Sequence, residues 1–143
     1  MREGPVVRVT RRFGAAPERV FEAFLDPETA GRFLFRTPEG ELARCELDGR
    51  VGGRFVIVEK RGEELAEHLG EFVRIEPPHS IVFMFGTSGW DGEFSQVDID
   101  IAPLDDGCEL TLTHRMAPQW AEWAARVQDG WGLILGNLAT ALA

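Results

Sequence analysis

His114 ends the stretch CELTLTH, and an imidazole closing an apolar run can take a proton, give one or anchor a ligand. Alternation places Cys108, Leu110, Leu112 and His114 on one face, with Thr111, Thr113 and Arg115 on the other. If the leucines face a hollow, His114 sits at its edge. Asp98 and Asp100 alternate with Val97, Ile99 and Ile101, so an inward apolar trio turns both carboxylates to solvent. Glu67 and Glu71 share a strand face with Leu69 and Val73, and either one drawn into the hollow makes the better acid. Any catalysis would therefore pair His114 with Glu67 or Glu71 in proton transfer on a bound substrate.

His68 in LAEHLGEF lies opposite Leu65, Leu69 and Val73 or beside Phe72, according to whether the strand bulges at Gly70. His79 follows Pro77-Pro78 in a turn. Three histidines without ligand spacing give no zinc set, and neither metal nor cofactor is expected. The chain carries no P-loop, nucleophile elbow or HExxH, and it has no tyrosine to serve as a phenolic acid. No residue is assigned as catalytic outright. The chemistry leans away from an enzyme.

The aromatic residues favour binding instead. Phe55, Phe72, Phe83, Phe85 and Phe94 fall on strands, Trp90 in the loop GTSGWDG, and Trp120, Trp123 and Trp131 along the last helical segment. Most belong to a core. A subset facing a hollow with Leu112, His114 and Val127 would line an apolar ligand pocket with a few polar anchors. Trp90 is the lid candidate, and Arg44 or Arg54 would hold an acidic head group if turned inward.

Those side chains need a frame. The 143 residues suit one domain, 1–143, with its own core. Residues 6–13 alternate as a strand, and AAPERVFEAFLDPE reads as a helix with Pro17 in its first turn. A short helix follows near 28–33. Strands are expected near 42–48, 52–60, 65–76, 80–86, 94–102 and 108–115, joined by tight turns as an antiparallel meander. From about 118 to 142, Trp120, Trp123, Val127, Trp131, Ile134, Leu135, Leu138 and Leu142 recur on one helical face. The pattern predicts an α+β fold: a curved antiparallel sheet of about six to seven strands around a long C-terminal helix.

That helix contains DGWGLILGNL, with three glycines where each costs roughly 1 kcal/mol. Gly130 borders the buried face, so it either admits a close strand or leaves a hollow beside Trp131. Gly132 and Gly136 face outward, where tolerance or a homodimer contact would account for them. The formal net charge of -9 argues against nucleic acid and anionic membrane as partners, and neither is expected. Cys45 and Cys108 lack CxxC spacing, and free thiols suit a cytoplasmic protein. MREGPVVRVTRRF carries charge where a signal peptide needs an apolar run.

Five stretches, APERVFEAFLDPE, GGRFVIVEK, GEFVRIEPPHSIVFMF, DDGCELTLTHRM and DGWGLILGNLATAL, together resemble the START-like or SRPBCC superfamily. Within it they are most similar to the group related to the C-terminal domain of the Hsp90 ATPase activator Aha1. Relatives commonly carry threonine where Cys108 stands, and a Trp-Phe pair near GRFLF. The resemblance implies a helix-grip domain with an internal apolar cavity that binds a small hydrophobic molecule, lipid-like or aromatic. It also implies two alternatives. One is a cyclase or dehydratase acting on a polyketide-like substrate; the other is a stress- or chaperone-related interaction module. The activator's separate N-terminal domain has no counterpart in these residues, so stimulation of Hsp90 is not expected.

Overall fold

The computed structural model describes residues 4–143. Strand β1 (Val6–Phe13) leads into helices α1 (Pro17–Ala23) and α2 (Pro27–Phe33). Both helices start on proline, whose fixed φ suits a first turn where the N–H has no helical partner. Asp26 caps α2, accepting from the Thr29 N–H at 3.3 Å and the Thr29 hydroxyl at 2.7 Å.

Six strands follow: β2 (Glu41–Leu47), β3 (Arg54–Arg61), β4 (Glu64–Glu76), β5 (Ser80–Gly86), β6 (Ser95–Leu104) and β7 (Gly107–Arg115). All pairings are antiparallel, and β1 returns beside β7 to give the order β1-β7-β6-β5-β4-β3-β2. The register breaks at Leu42/Arg44 and Phe72/Arg74, and such breaks let a strand bend locally. Helix α3 (Ala124–Ala141) packs on the concave face of the curved sheet, in one core with it. This is the α+β helix-grip architecture that the sequence pattern predicts.

The C-terminal helix is shorter than its apolar pattern suggests. Pro118–Trp123 form a 3₁₀ helix, and α3 proper begins only at Ala124. A 3₁₀ segment turns about 120° per residue against about 100° in an α-helix, so the stripe drawn through Trp120 and Trp123 does not continue. Those two tryptophans are 42% and 39% exposed. The buried face of α3 starts at Trp131 and runs through Ile134, Leu135 and Leu138. The sheet therefore grips the C-terminal half of α3, while the N-terminal half stands off.

The bulge considered at Gly70 lies instead between Phe72 and Arg74. Gly70 pairs in regular register with Phe55, and a Cβ there would overlap the Phe55 ring. Regular pairing puts His68 on the same face as Phe72, toward α3. Inward residues such as Phe55, Ile57, Phe83 and Ile99 form one core with Leu135, Leu138 and the α1–α2 residues Phe24 and Phe33.

A Cβ at Gly130, Gly132 or Gly136 would meet nothing within 4 Å. Of the two roles open to Gly130, close strand approach is thereby removed and the hollow beside Trp131 remains. Alanine at each position should raise stability by about 0.5–1 kcal/mol, read from urea denaturation midpoints. A loss at Gly132 or Gly136 would instead report contact with a second subunit.

Candidate functional site

Where α3 stands off the sheet, a groove stays open. It has two lobes, of about 260 Å³ and about 360 Å³, joined at Phe85, Thr87, His114 and Val127. The first lobe runs under the 3₁₀ segment past Phe94, Ser95, Met116 and Trp120. The second runs past Phe35, His68, Trp131 and Ile134, with Arg36, Arg61 and Arg126 also lining it.

His114 sits at the junction, buried on the face that alternation predicts. Its Nδ1 accepts from the Trp131 indole N–H at 3.0 Å. An indole N–H only donates, so Nδ1 holds the lone pair and Nε2 carries the proton. Nε2–H then donates to Ser95 Oγ at 2.7 Å, and the Ser95 hydroxyl donates onward to the Phe85 carbonyl at a long 3.4 Å. Burial holds the ring's pKa down at about 4. A Ser–His contact wired in this sense cannot withdraw the serine proton. It is a chain of donors rather than a general base.

His68 is the second buried imidazole. Its Nδ1–H donates to the Ile57 carbonyl at 3.1 Å. Burial lowers its pKa to about 4, against the raising effect of the Ile57 carbonyl. Phe35 stacks on the ring at 4.3 Å and 4°, and on its other neighbour, Phe85, at 5.0 Å and 6°. Phe35 has φ 58°, a left-handed conformation costing a bulky residue about 1–3 kcal/mol. The aromatic stack holds it there, and this turn delivers the next two residues to a buried carboxylate.

That carboxylate is Glu59, which has no exposed surface. It accepts from the Thr37 N–H at 2.8 Å, the Thr37 hydroxyl at 2.7 Å, Arg36 Nε at 3.1 Å and Arg61 Nε at 2.7 Å. Burial alone would raise its pKa, but the Thr37 and arginine bonds outweigh burial and hold it at about 2. Asn137 of α3 donates to the Arg36 carbonyl at 3.0 Å, tying this cluster to the helix.

The pH dependence follows in two windows. His68 and His114 each have an ordinary pKa of 6.5 when unfolded and about 4 when folded, so the unfolded chain binds more protons between those values. Their contribution is present above pH 6.5 and is lost as pH falls toward 4, on the order of 3 kcal/mol each. Urea midpoints should fall through this window, and His68→Phe should remove about half of the slope. A slope unchanged in His68→Phe would contradict the assignment.

Of the lining residues expected from sequence, Phe85, Phe94, His114, Trp123, Val127 and Trp131 border the groove. Phe55, Phe72, Phe83 and Leu112 do not. They lie in the closed core, where the C-terminal half of α3 packs down and Phe55 meets Phe83 at 5.4 Å. Trp90 lines neither lobe, because it stacks on Phe94 at 5.8 Å and lies 4.4 Å from the Arg54 guanidinium. Arg54 pairs with Glu71 at 3.4 Å and Arg44 pairs with Glu46, so neither arginine turns inward. Glu67 is exposed and Glu71 is held by Arg54, so the structure brings neither carboxylate to His114.

Residues not anticipated include Phe35, Arg36, Thr37, Glu59, Arg61, Ser95 and Arg126. For Glu59 a signal existed, since Phe55, Ile57 and Glu59 share one strand parity. Among the described residues, no group of three or more His, Cys, Asp or Glu could hold a metal ion. No helix among them is long and apolar enough to cross a membrane.

Residues 14–143 match the family model described as activator of Hsp90 ATPase homolog 1-like protein. Among solved structures, the AHSA1 protein from Silicibacter pomeroyi is similar with a TM-score of 0.82 and 27% identity, over 96% of this chain and 97% of that one. A protein from Chromobacterium violaceum gives a TM-score of 0.83 at 24% identity, over 94% of each chain. One from Rhodobacter sphaeroides gives 0.83 at 21% identity, over 99% of this chain and 97% of that one. No curated protein matches the chain at a significant level.

Proposed function

The chain belongs to the activator of Hsp90 ATPase homolog 1-like family, of START-like fold, and from that premise we propose that it binds one small hydrophobic molecule in the groove beneath α3. The observation that carries this reading is an open, largely apolar groove whose buried polar groups already have partners. A lipid-like or aromatic guest would meet the faces of Phe35, Phe85 and Trp131 without stranding a donor or acceptor. Its binding would come from desolvated apolar surface at about 25 cal/mol per Å². Ser95 supplies orientation, because its long bond to the Phe85 carbonyl is the one most readily exchanged for a bond to a ligand. Free Cys45 and Cys108 and the acidic charge fit a cytoplasmic binder working without nucleic acid.

The test uses the neutral fluorescent probe N-phenyl-1-naphthylamine. Titration should be saturable at one probe per chain, with blue-shifted emission. Gly130→Trp fills the second lobe from a position whose Cβ meets no neighbour, so it should abolish probe binding without lowering stability. Probe binding that never saturates rejects the groove as the site, and saturable binding that survives this variant unchanged rejects its second lobe.

A further inference from the structure

The second lobe has a polarity that apolar binding alone does not explain. In a chain of formal net charge -9, it is lined by Arg36, Arg61 and Arg126 and by no carboxylate. Glu59, out of contact with solvent, offsets one of those charges from behind.

The three guanidinium groups are not equally available. Arg36 uses Nε on Glu59, Nη1 on the Gly31 carbonyl at 3.0 Å and Nη2 on the Gly40 carbonyl at 3.4 Å. It is saturated. Arg61 uses Nε on Glu59 and Nη2 on the Phe35 carbonyl at 3.3 Å, which leaves Nη1. Arg126 makes no ion pair with a carboxylate among the described residues and lies 4.9 Å over the Trp123 ring. One anionic group is what Arg61 and Arg126 have the donors to hold.

Resting on the groove being a ligand site, we infer that its occupant is an amphipathic monoanion. The carboxylate is taken by Arg61 and Arg126 at the mouth, and the hydrocarbon lies against Phe35, Phe85 and Trp131. Arg36 is the positioning residue: through Glu59 it fixes Arg61 and sets the edge of the lobe. The charged end stays near solvent, so the ion keeps part of its hydration while the chain is desolvated.

Decanoate and decanol share a hydrocarbon and differ in head group, and each can be measured by displacement of N-phenyl-1-naphthylamine at pH 8 and low salt. Decanoate should displace the probe at least about tenfold more tightly than decanol. Arg126→Gln should bring that ratio close to one, and Arg126→Lys should keep most of it. Added salt should weaken decanoate and not decanol. If the probe binds but decanol displaces it as well as decanoate does, the anion inference is wrong and the groove reading stands. A preference that survives both Arg126→Gln and Arg61→Gln also overturns it. If the probe itself does not bind, the groove reading falls and takes this inference with it.

Discussion

Glu59→Gln is expected to cost about 3–5 kcal/mol at pH 7, a large share of the roughly 5–15 kcal/mol that holds a small domain folded. The glutamine keeps the shape and loses the charge. Arg36 and Arg61 then face a neutral amide, and half of that amide presents N–H groups to the Thr37 and arginine donors. Removing one partner of a buried charge cluster leaves the others uncompensated, which is why the effect exceeds that of a surface ion pair. The acid profile separates this loss from a general one. Glu59 has an unfolded pKa of 4.5 and a folded value of about 2, so its contribution is present above pH 4.5 and lost as pH falls toward 2. The wild-type protein should lose this stability below the histidine window, and Glu59→Gln should show no such fall. Gly40 supplies a control, because a Cβ there would overlap the Glu59 carboxylate. Gly40→Ala should destabilise the wild type and be tolerated better beside Glu59→Ala.

Gly70→Ala should be nearly as damaging, at about 3 kcal/mol by denaturant titration. The new methyl group would occupy space held by the Phe55 ring. That ring has nowhere to go: Phe72 lies 5.8 Å away, Phe83 5.4 Å and Phe35 6.1 Å. The clash would push through Phe35 into the stack with His68 and Phe85, which floors the groove. Phe55→Leu frees the same space, so the double variant Gly70→Ala/Phe55→Leu should be more stable than the sum of the single losses. Simple additivity would show that the steric account is wrong.

Both predictions concern positions that a period-two pattern half reveals. Alternation was enough to mark seven strands along the chain, to put His114 on the same face as Leu110 and Leu112, and to find the apolar face of α3 from Trp131 onward. Along β3, the same parity runs Phe55, Ile57, Glu59, so a buried carboxylate was legible there as an exception to polar-outward alternation. Its partners were not. Arg36 and Thr37 reach Glu59 only because Phe35 adopts a left-handed turn, and the local sequence LFRTPEG has no glycine at that position to announce it. That turn is held by ring stacking across three elements, a tertiary cause that no window of sequence contains.

The lining of the groove divides in the same way. Phe55, Phe72 and Phe83 are indistinguishable from Phe85 by parity, yet only Phe85 borders open space. What separates them is the change from 3₁₀ to α geometry before Ala124, which lifts one half of the helix segment and seats the other. A single helical stripe through Trp120 and Trp123 hid that change. The glycines of DGWGLILGNL mark it instead, with Gly130 at the open lobe and Trp131 at the first seated position.

Native against denaturing mass spectrometry, on protein purified from its own host, tests the proposed binding most directly. A mass above that of the chain, lost on denaturation and missing from Gly130→Trp, is the predicted result. An amphipathic acid as the released species would further support the anion-holding role of Arg61 and Arg126. A bare chain mass from the wild type, together with no saturable uptake of N-phenyl-1-naphthylamine, would contradict the account.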